Sequence, residues 1–407
     1  MSGRASRRTW FAAILIGFTA LGLTLANWAF TRTNPGGNDF LPRWLGFRRF
    51  ILQGTSPYSD ATARAIQQMA YGRLALPGED QMRTVYPLYA LLWFLPYALI
   101  PNYALARALW MTTLEGFLIV TWLLSLHLAH WKPRPLSLAF HLLFALTWYY
   151  GLRAVINGNP VVLVAFLLTA TLAGLVHARE GWAGFALAWA AIKPHLALLP
   201  TLAVLGWALG QRRWAVLRAW GLTFAGMMLG SLLLLPDWPR QNIREILAYP
   251  SYTPATTLQE ALIQAWPRGG SLLGGALSLI LLILLARAWW AARHVGPSAL
   301  RWPYALTLVI SQWIGIPTDP GNFVILMFPL ALVLAGLCRT RVGCVAAYTL
   351  MAALWVGLWA LFLATLTPGA HGPQQHNIMF VPLPAILLFG LYGLAPRLKE
   401  RTTTRSA

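Results

Sequence analysis

The sequence predicts an all-α protein that crosses a membrane many times. Three observations carry that prediction: 58% of the residues are hydrophobic, only 10% are charged, and the apolar residues gather in long runs. This combination fits a polytopic membrane protein and no soluble class. The formal net charge of +20 would suit a nucleic-acid binder, but the arginines stand at the ends of apolar runs and form no single stripe. Such positions speak for topology and contact with membrane lipids, so no nucleic-acid partner is expected.

The apolar runs can be taken in order. Arg4, Arg7 and Arg8 precede the run Trp10–Phe30, which lacks a clear small-residue cleavage site and reads as a retained signal anchor. Further runs follow at Tyr103–Leu128, Leu136–Tyr150, Pro160–Val176, Gly181–Ile192, His195–Leu209 and Trp214–Leu235. Leu272–Ala292, Pro303–Ile316, Phe323–Leu337, Gly343–Leu366 and Ile378–Leu394 complete the series. Several are shorter than the ~17 residues a span usually needs and would have to borrow flanking residues. One more run, Val85–Pro101, is short and interrupted by Pro87, Pro96 and Pro101.

Charge decides whether that last run crosses. With the N-terminus inside and Val85–Pro101 not crossing, Lys132/Arg134, Arg179, Arg212/Arg213, Arg287/Arg293/Arg301, Arg339/Arg341 and the tail Arg397/Lys399/Arg401/Arg405 all fall in the cytoplasm. If it crosses, every one of those groups moves outside. The positive-inside rule therefore predicts about twelve crossings, within a range of about eleven to thirteen, and both termini in the cytoplasm. Residues 85–101 then lie along the outer surface or dip in partway. Most acids (Asp39, Asp60, Glu79, Asp80, Asp237, Glu245, Glu260 and Asp319) face outward, Glu180 and Glu400 face inward, and Glu115 lies within a span. The chemistry is expected on the outside. Cys338 and Cys344 fall on the cytoplasmic side, where they would stay reduced.

The chain reads as one transmembrane domain over residues 1–407, with outer loops at 31–84 and 236–271. In the first loop, Arg43 to Ile51 puts Trp44, Phe47, Phe50 and Ile51 near one face and arginines on the other, the pattern of an interfacial helix. A second helix is predicted over Ala61–Leu76. Asp39 follows the Pro35-Gly36-Gly37 turn and is the candidate catalytic base. A solvated loop acid or a helix cap would account for it equally simply.

Arg153, Asn157 and Asn159 fall in a short outward connection, Gly151–Asn159, whose Asn-Gly-Asn-Pro is turn chemistry. Lys193-Pro194-His195 interrupts an otherwise apolar stretch at the outer end of a hairpin. Lys193 and Arg153 together suit a phosphate at the membrane surface, although a lysine there also snorkels readily. His371 and His376, in the last outer loop, are candidates for contact with phosphate or acceptor, and their spacing is no zinc signature. Glu115 is read either as a functional intramembrane acid or as one hydrogen-bonded to a neighbouring helix.

Taken in order, these features resemble the membrane-embedded glycosyltransferases of the GT-C superfamily, and most closely glycosyltransferase family 87. The resemblance rests on Asp39-Phe40 after the first span, the Gly54 to Tyr58 turn and Val85-Tyr86-Pro87-Leu88. It continues through Asn157-Gly158-Asn159, the small-residue hairpin Ala183–Ala191, Ile192-Lys193-Pro194 and Gln211 to Trp214, over roughly the first 220 residues. It implies an inverting transferase that takes a hexose, mannose above all, from a polyprenyl-phosphate donor to a lipid or glycan acceptor. It further implies that Asp39 is the general base and that the active site faces outside the cytoplasmic membrane.

The family commonly has Gly-Gln-Asn where this chain has Asn157-Gly158-Asn159. It often has a histidine where this chain has Thr318-Asp319-Pro320-Gly321-Asn322, which makes Asp319 and Asn322 substrate-site candidates. Lys193, Arg153 and His195 would then meet the donor phosphate, and Tyr58, Asn157 and Asn159 the substrates. No cofactor or metal is called for, since the outer loops carry no Asp-x-Asp clamp for a diphosphate. The competing reading is a transporter or flippase for a lipid-linked or anionic solute, with Glu115 as its coupling group. The absence of two similar halves with matching broken helices speaks against it.

Overall fold

A computed structural model of the chain describes residues 2–252, 256–314, 317–369 and 372–394. The basic tail Arg397/Lys399/Arg401/Arg405, Glu400 and His371 lie outside the described residues. The first half holds α1 (Ser2–Thr33), α2 (Leu41–Gln53), α3 (Asp60–Tyr71), α4 (Leu91–Ala98), α5 (Tyr103–Leu128), α6 (Pro135–Thr147), α7 (Tyr149–Asn157), α8 (Val161–Val176) and α9 (Glu180–Trp189). The second holds α10 (Pro194–Gly210), α11 (Trp214–Leu234), α12 (Trp238–Ala248), α13 (Leu258–Ala265), α14 (Gly270–Ala292), α15 (Arg301–Ile310), α16 (Met327–Leu337), α17 (Arg341–Thr365) and α18 (Pro382–Gly393). A pair of three-residue strands, Thr367–Gly369 and Gly372–Gln374, makes a short antiparallel hairpin.

Helix length bears out only part of the simple count of crossings. Among the described residues six helices are long and apolar enough to span, or seven if α6 and α7, bent by 50° at Trp148, count as one. The predicted spans Gly181–Ile192 and Pro303–Ile316 yield only α9 and α15, of 10 residues each, about 15 Å of helix. A hydrocarbon core is about 30 Å thick, so neither crosses it alone. Pro194 and the turn after Ile310 stop these helices early. Hydropathy sees apolar sequence but not where the helix breaks.

Residues 85–101 are mostly short helix. They form a 3-10 turn at Leu88–Ala90 and then α4, whose 8 residues reach about 12 Å.

The first outer loop is not a pair of free surface helices. α2 packs on α3 and α4, and its buried residues include Arg43 beside Trp44 and Phe47. Arg43 was expected on the polar face, but here it is covered by Tyr86. Tyr58 Oη donates to the Tyr86 carbonyl at 2.7 Å, and Thr84 Oγ1 donates to the Pro42 carbonyl at 3.1 Å. These bonds stitch residues 41–58 to residues 84–86. α3 ends at Tyr71, earlier than predicted, because the chain folds back along it. There Gln67 donates to the Gln81 carbonyl at 2.9 Å and accepts from Ala75 N–H at 3.1 Å.

α5 is the long central strut. Its 26 residues, about 39 Å, run from Tyr103 beside the first loop to Leu128 at the far end of the bundle. It packs against α1, α8 and α16, and Trp110, Leu114, Leu118 and Trp122 are fully buried. Cys338 and Cys344, expected as free thiols, are joined in a disulfide. The tight turn between α16 and α17 brings their Cα atoms to 3.8 Å, a proximity that spacing alone did not reveal.

Candidate active site

Asp39 is positioned from its backbone outward. After α1 the chain makes a glycine turn held against the start of α5, where Tyr103 Oη donates to the Gly36 carbonyl at 2.8 Å. Arg107 reaches in the same direction, donating to the carbonyls of Asn34 (2.8 Å) and Ile156 (2.9 Å). Gly37 has φ +79°, and a Cβ there would lie 2.7 Å from both Arg107 Nε and Tyr103 Oη. Only glycine fits so close an approach in that conformation.

Asp39 N–H then donates to the Asn157 carbonyl at 3.0 Å. Phe40 is fully buried, with its ring stacked on Tyr103 and Trp110 at centroid distances of 5.9 and 6.0 Å. Gly158, at φ +68°, lies beneath it, and a Cβ at that position would come within 2.5 Å of Phe40 Cβ. Trp110 Nε1 closes the arrangement by donating to the Gly158 carbonyl at 2.9 Å. The carboxylate of Asp39 is 30% exposed and lies 3.6 Å from Arg43 Nη1, which also donates to the Asp39 carbonyl.

Lys193 occupies the bend between α9 and α10, with Pro194 opening the next helix. It is buried, and its ammonium donates to the amide oxygens of Asn159 (2.8 Å) and Asn322 (2.7 Å). Asn159 Oδ1 also accepts from Val161 N–H at 3.0 Å, and Asn322 Nδ2 donates to Thr318 Oγ1 at 2.8 Å. The partners that orient the lysine are therefore neutral. An ammonium has three donors, so two are spent here and a third remains. Burial pulls the Lys193 pKa down to about 7, while the charges of Asp39 and Asp319 push it up and that of Arg43 pushes it down. Lys193 Nζ stands 5.8 Å from the centre of the Tyr86 ring, the ring that also covers Arg43 at 4.1 Å.

Arg153 has a different situation from the one expected. The predicted loop Gly151–Asn159 is mostly helix, α7, and Arg153 projects from it to Asp319, Nη1 to Oδ1 at 2.5 Å and Nη2 to Oδ2 at 3.3 Å. Asp319 also accepts from Gly321 N–H at 2.5 Å. Two sequence-predicted residues are thus brought together, and the cation is already matched by a carboxylate.

The remaining candidates separate. Tyr58 is buried and bonded to the Tyr86 carbonyl, a strut of the first loop. Asn157 contributes its carbonyl to Asp39 and Phe40. His195 is half-buried on the first turn of α10, and among the described residues no hydrogen bond joins it to Lys193, Asn159 or Asn322. His376 is exposed and caps the turn after it by accepting from Ile378 N–H at 3.0 Å. Glu115 accepts from Asn27 Nδ2 at 3.0 Å, which fits the reading of an acid hydrogen-bonded to a neighbouring helix, here α1. Sequence reasoning missed Arg43 as part of the site, although its place four residues after Asp39 was a usable signal.

Beside Lys193 opens a largely apolar groove of about 360 Å³ between α10, α11 and α12. Ala191 and Pro194, on either side of the lysine, line it together with Pro87, Tyr89, Trp220 and Phe224. Tyr89 Oη holds its edge by donating to the Ala191 carbonyl at 2.9 Å. Lys193 itself does not line the groove; its chain neighbours Ala191 and Pro194 do.

The sequence model of glycosyltransferase family 87 matches residues 84–314. The match extends further into the second half than the roughly 220 residues of the resemblance. It takes in Tyr86, Arg153, Asn157, Asn159 and Lys193, while Asp39, Asp319 and Asn322 lie outside it. No curated protein and no solved structure matches the chain. With more than half of its length matched and its helices long and apolar enough to cross a bilayer, the chain belongs to glycosyltransferase family 87 and is a membrane glycosyltransferase.

Proposed function

We propose that this glycosyltransferase moves a hexose, mannose in the first instance, from a polyprenyl-phosphate donor to a hydroxyl of a lipid or glycan acceptor, with inversion at the anomeric carbon. The acceptor oxygen attacks that carbon and gives its proton to Asp39. The bond from the anomeric carbon to the phosphate oxygen breaks, and its electron pair leaves with the phosphate toward Lys193. The ammonium's third donor is the natural contact for that oxygen, and its charge acts strongly because the group is buried away from water. Arg153 is kept for positioning, since Asp319 already balances its charge.

The observation that carries this reading is the segment Asn157-Gly158-Asn159. One end receives Asp39 through a carbonyl and the other receives Lys193 through a side-chain amide. Base and cation are thereby held by a single rigid turn, the pre-organisation that general-base displacement requires. The groove from Ala191 and Pro194 along α10 and α11 suits the prenyl chain. The charge pattern supports a site on the outer face of the cytoplasmic membrane with both termini in the cytoplasm. On that reading α9 and α15 cross only together with the turns that flank them, and with α8, α10 and α18 they bring the crossings to about twelve.

The test is sugar transfer from a polyprenyl-phosphate donor in membranes carrying wild type or Asp39→Asn. The variant should lose about 10²- to 10⁴-fold in rate. Full retention of transfer would remove Asp39 as the base.

A further inference from the structure

Only Leu235, Pro236 and Asp237 separate α12 from α11, a helix of 21 residues that is long and apolar enough to cross the membrane. The link is tight: Leu235 N–H donates to the Ser231 carbonyl at 3.0 Å, and Trp238 N–H donates to the Leu235 carbonyl at 3.1 Å. A chain extends at most about 3.6 Å per residue, and a hydrogen-bonded turn reaches less. α12 therefore begins close to the depth at which α11 leaves the hydrocarbon.

The 11 residues of α12 divide among three faces. Trp238, Asn242 and Glu245 share one and are buried against the protein. Arg240 and Arg244 lie on a second and are exposed. The third carries Ile243, Ile246 and Leu247, which are exposed as well, Leu247 to 77%. The rotation of the helix is fixed from the first loop. Ser56 Oγ donates to Gln241 Oε1 at 2.6 Å, Arg83 Nη1 to Glu245 Oε2 at 3.2 Å and Arg244 Nη2 to the Tyr58 carbonyl at 3.1 Å. The apolar face cannot turn inward without breaking these bonds.

Its surroundings indicate what that face meets. Leu229, Leu233 and Leu234 are exposed on the last turns of α11, so exposed apolar side chains continue from the spanning helix into α12. Arg240 borders them, and its guanidinium suits a lipid phosphate. An apolar face flanked by arginines is the pattern of a helix lying in the membrane surface, its apolar side about 5–10 Å into the boundary of headgroups and acyl chains. We propose that α12 lies in the membrane surface, with Ile243, Ile246 and Leu247 among the acyl chains and Arg240 at the lipid phosphates. Ile243 also lines the groove between α10, α11 and α12, as does the exposed Leu198 of α10. At these two residues the groove then adjoins hydrocarbon, and a lipid chain reaches it sideways from the leaflet without passing through water.

The test measures depth in full-length protein reconstituted into phosphatidylcholine–phosphatidylglycerol vesicles. Leu247→Cys and Ile243→Cys, each on an exposed side chain, take a thiol-reactive, environment-sensitive fluorophore. Cys338 and Cys344 are joined to each other, and wild type treated in parallel gives the background labelling. Quenching is read with aqueous iodide and with lipids that carry a nitroxide on the fifth or the twelfth acyl carbon. Both positions should be quenched more by the fifth-carbon nitroxide, and iodide should act about fivefold more weakly than on labelled free cysteine. Leu222→Cys, exposed near the middle of α11, should show the reverse order of the two nitroxides. Iodide quenching equal to that of labelled free cysteine would place the face in water and overturn the proposal. So would shielding from iodide and both nitroxides, which means a protein cover, or the Leu222 order at Leu247, which means a buried span. Sugar transfer enters none of these measurements, so the placement of α12 and the transferase mechanism fail separately.

Discussion

Asn159 and Lys193 share a 2.8 Å hydrogen bond in which the ammonium donates to a neutral amide oxygen. The lysine is thus oriented without being neutralised, in contrast to Arg153, whose guanidinium meets the carboxylate of Asp319 at 2.5 Å. The distinction between a cation kept available and a cation already paired leads to several measurable consequences.

Lys193 should set a pH limit on donor capture. Burial lowers its pKa to about 7, so the free enzyme carries the ammonium below that pH and loses it above. The ratio kcat/KM reports free-enzyme ionisations and should fall about tenfold per pH unit above neutrality. Lys193→Arg keeps its charge and should not show that fall, whatever its absolute rate. Stability should move the other way. The folded pKa lies below that of the unfolded chain, so from pH 7 up to the usual lysine range the unfolded state holds the extra proton and stability rises with pH. A flat kcat/KM profile in the wild type would remove Lys193 from phosphate binding.

Gly158→Ala should cost stability and displace Asp39 together. The residue has φ +68°, and its Cβ would meet Phe40 Cβ at 2.5 Å. Backbone strain of this kind costs about 1–3 kcal/mol, and steric conflict with Phe40 adds to it. Thermal unfolding in detergent should show the loss. Transfer by the surviving folded fraction should fall as well, because Phe40 cannot move without Asp39.

Arg153 and Asp319 should behave as a coupled pair. Either Arg153→Ala or Asp319→Ala leaves a partly buried charge without its counterpart, a loss of about 1–3 kcal/mol by thermal or denaturant unfolding. The double variant should recover part of that loss, with a coupling energy of about 0.5–3 kcal/mol. Additive single effects would mean that the pair is not maintained in the folded protein.

Glu115→Gln should leave sugar transfer unchanged. The substitution retains an oxygen able to accept from Asn27 Nδ2, the contact that holds the side chain to α1. The same transfer assay used for Asp39→Asn checks it, and a large loss would point to a role for the intramembrane acid that the α1–α5 contact does not explain.

Much of the architecture was legible in composition and run length. Tyr103–Leu128 emerged as a helix with the same ends as predicted, and Trp214–Leu235 and Leu272–Ala292 were close to α11 and α14. An uninterrupted apolar run of membrane length has little choice, because in hydrocarbon every backbone group must be bonded within its own helix. Shorter runs retain alternatives, and there the expectation of separate crossings gave way to α9 and α15, which are too short to cross alone. The disulfide between Cys338 and Cys344 was missed for a related reason. A spacing of six residues says nothing of how tightly the chain turns between two helices.

The sequence by itself determined that the chain is a helical membrane protein, which residue types were available at the loop ends, and an order of motifs resembling glycosyltransferase family 87. Tertiary structure alone decided the partnerships: Lys193 with Asn159 and Asn322, Arg153 with Asp319, Tyr58 with the carbonyl of Tyr86, and Asp39 with the carbonyl of Asn157. Hydrophobic periodicity is a local property that a single helix satisfies. A polar partnership in a buried site depends on which distant segments arrive together, and only the packed bundle determines that.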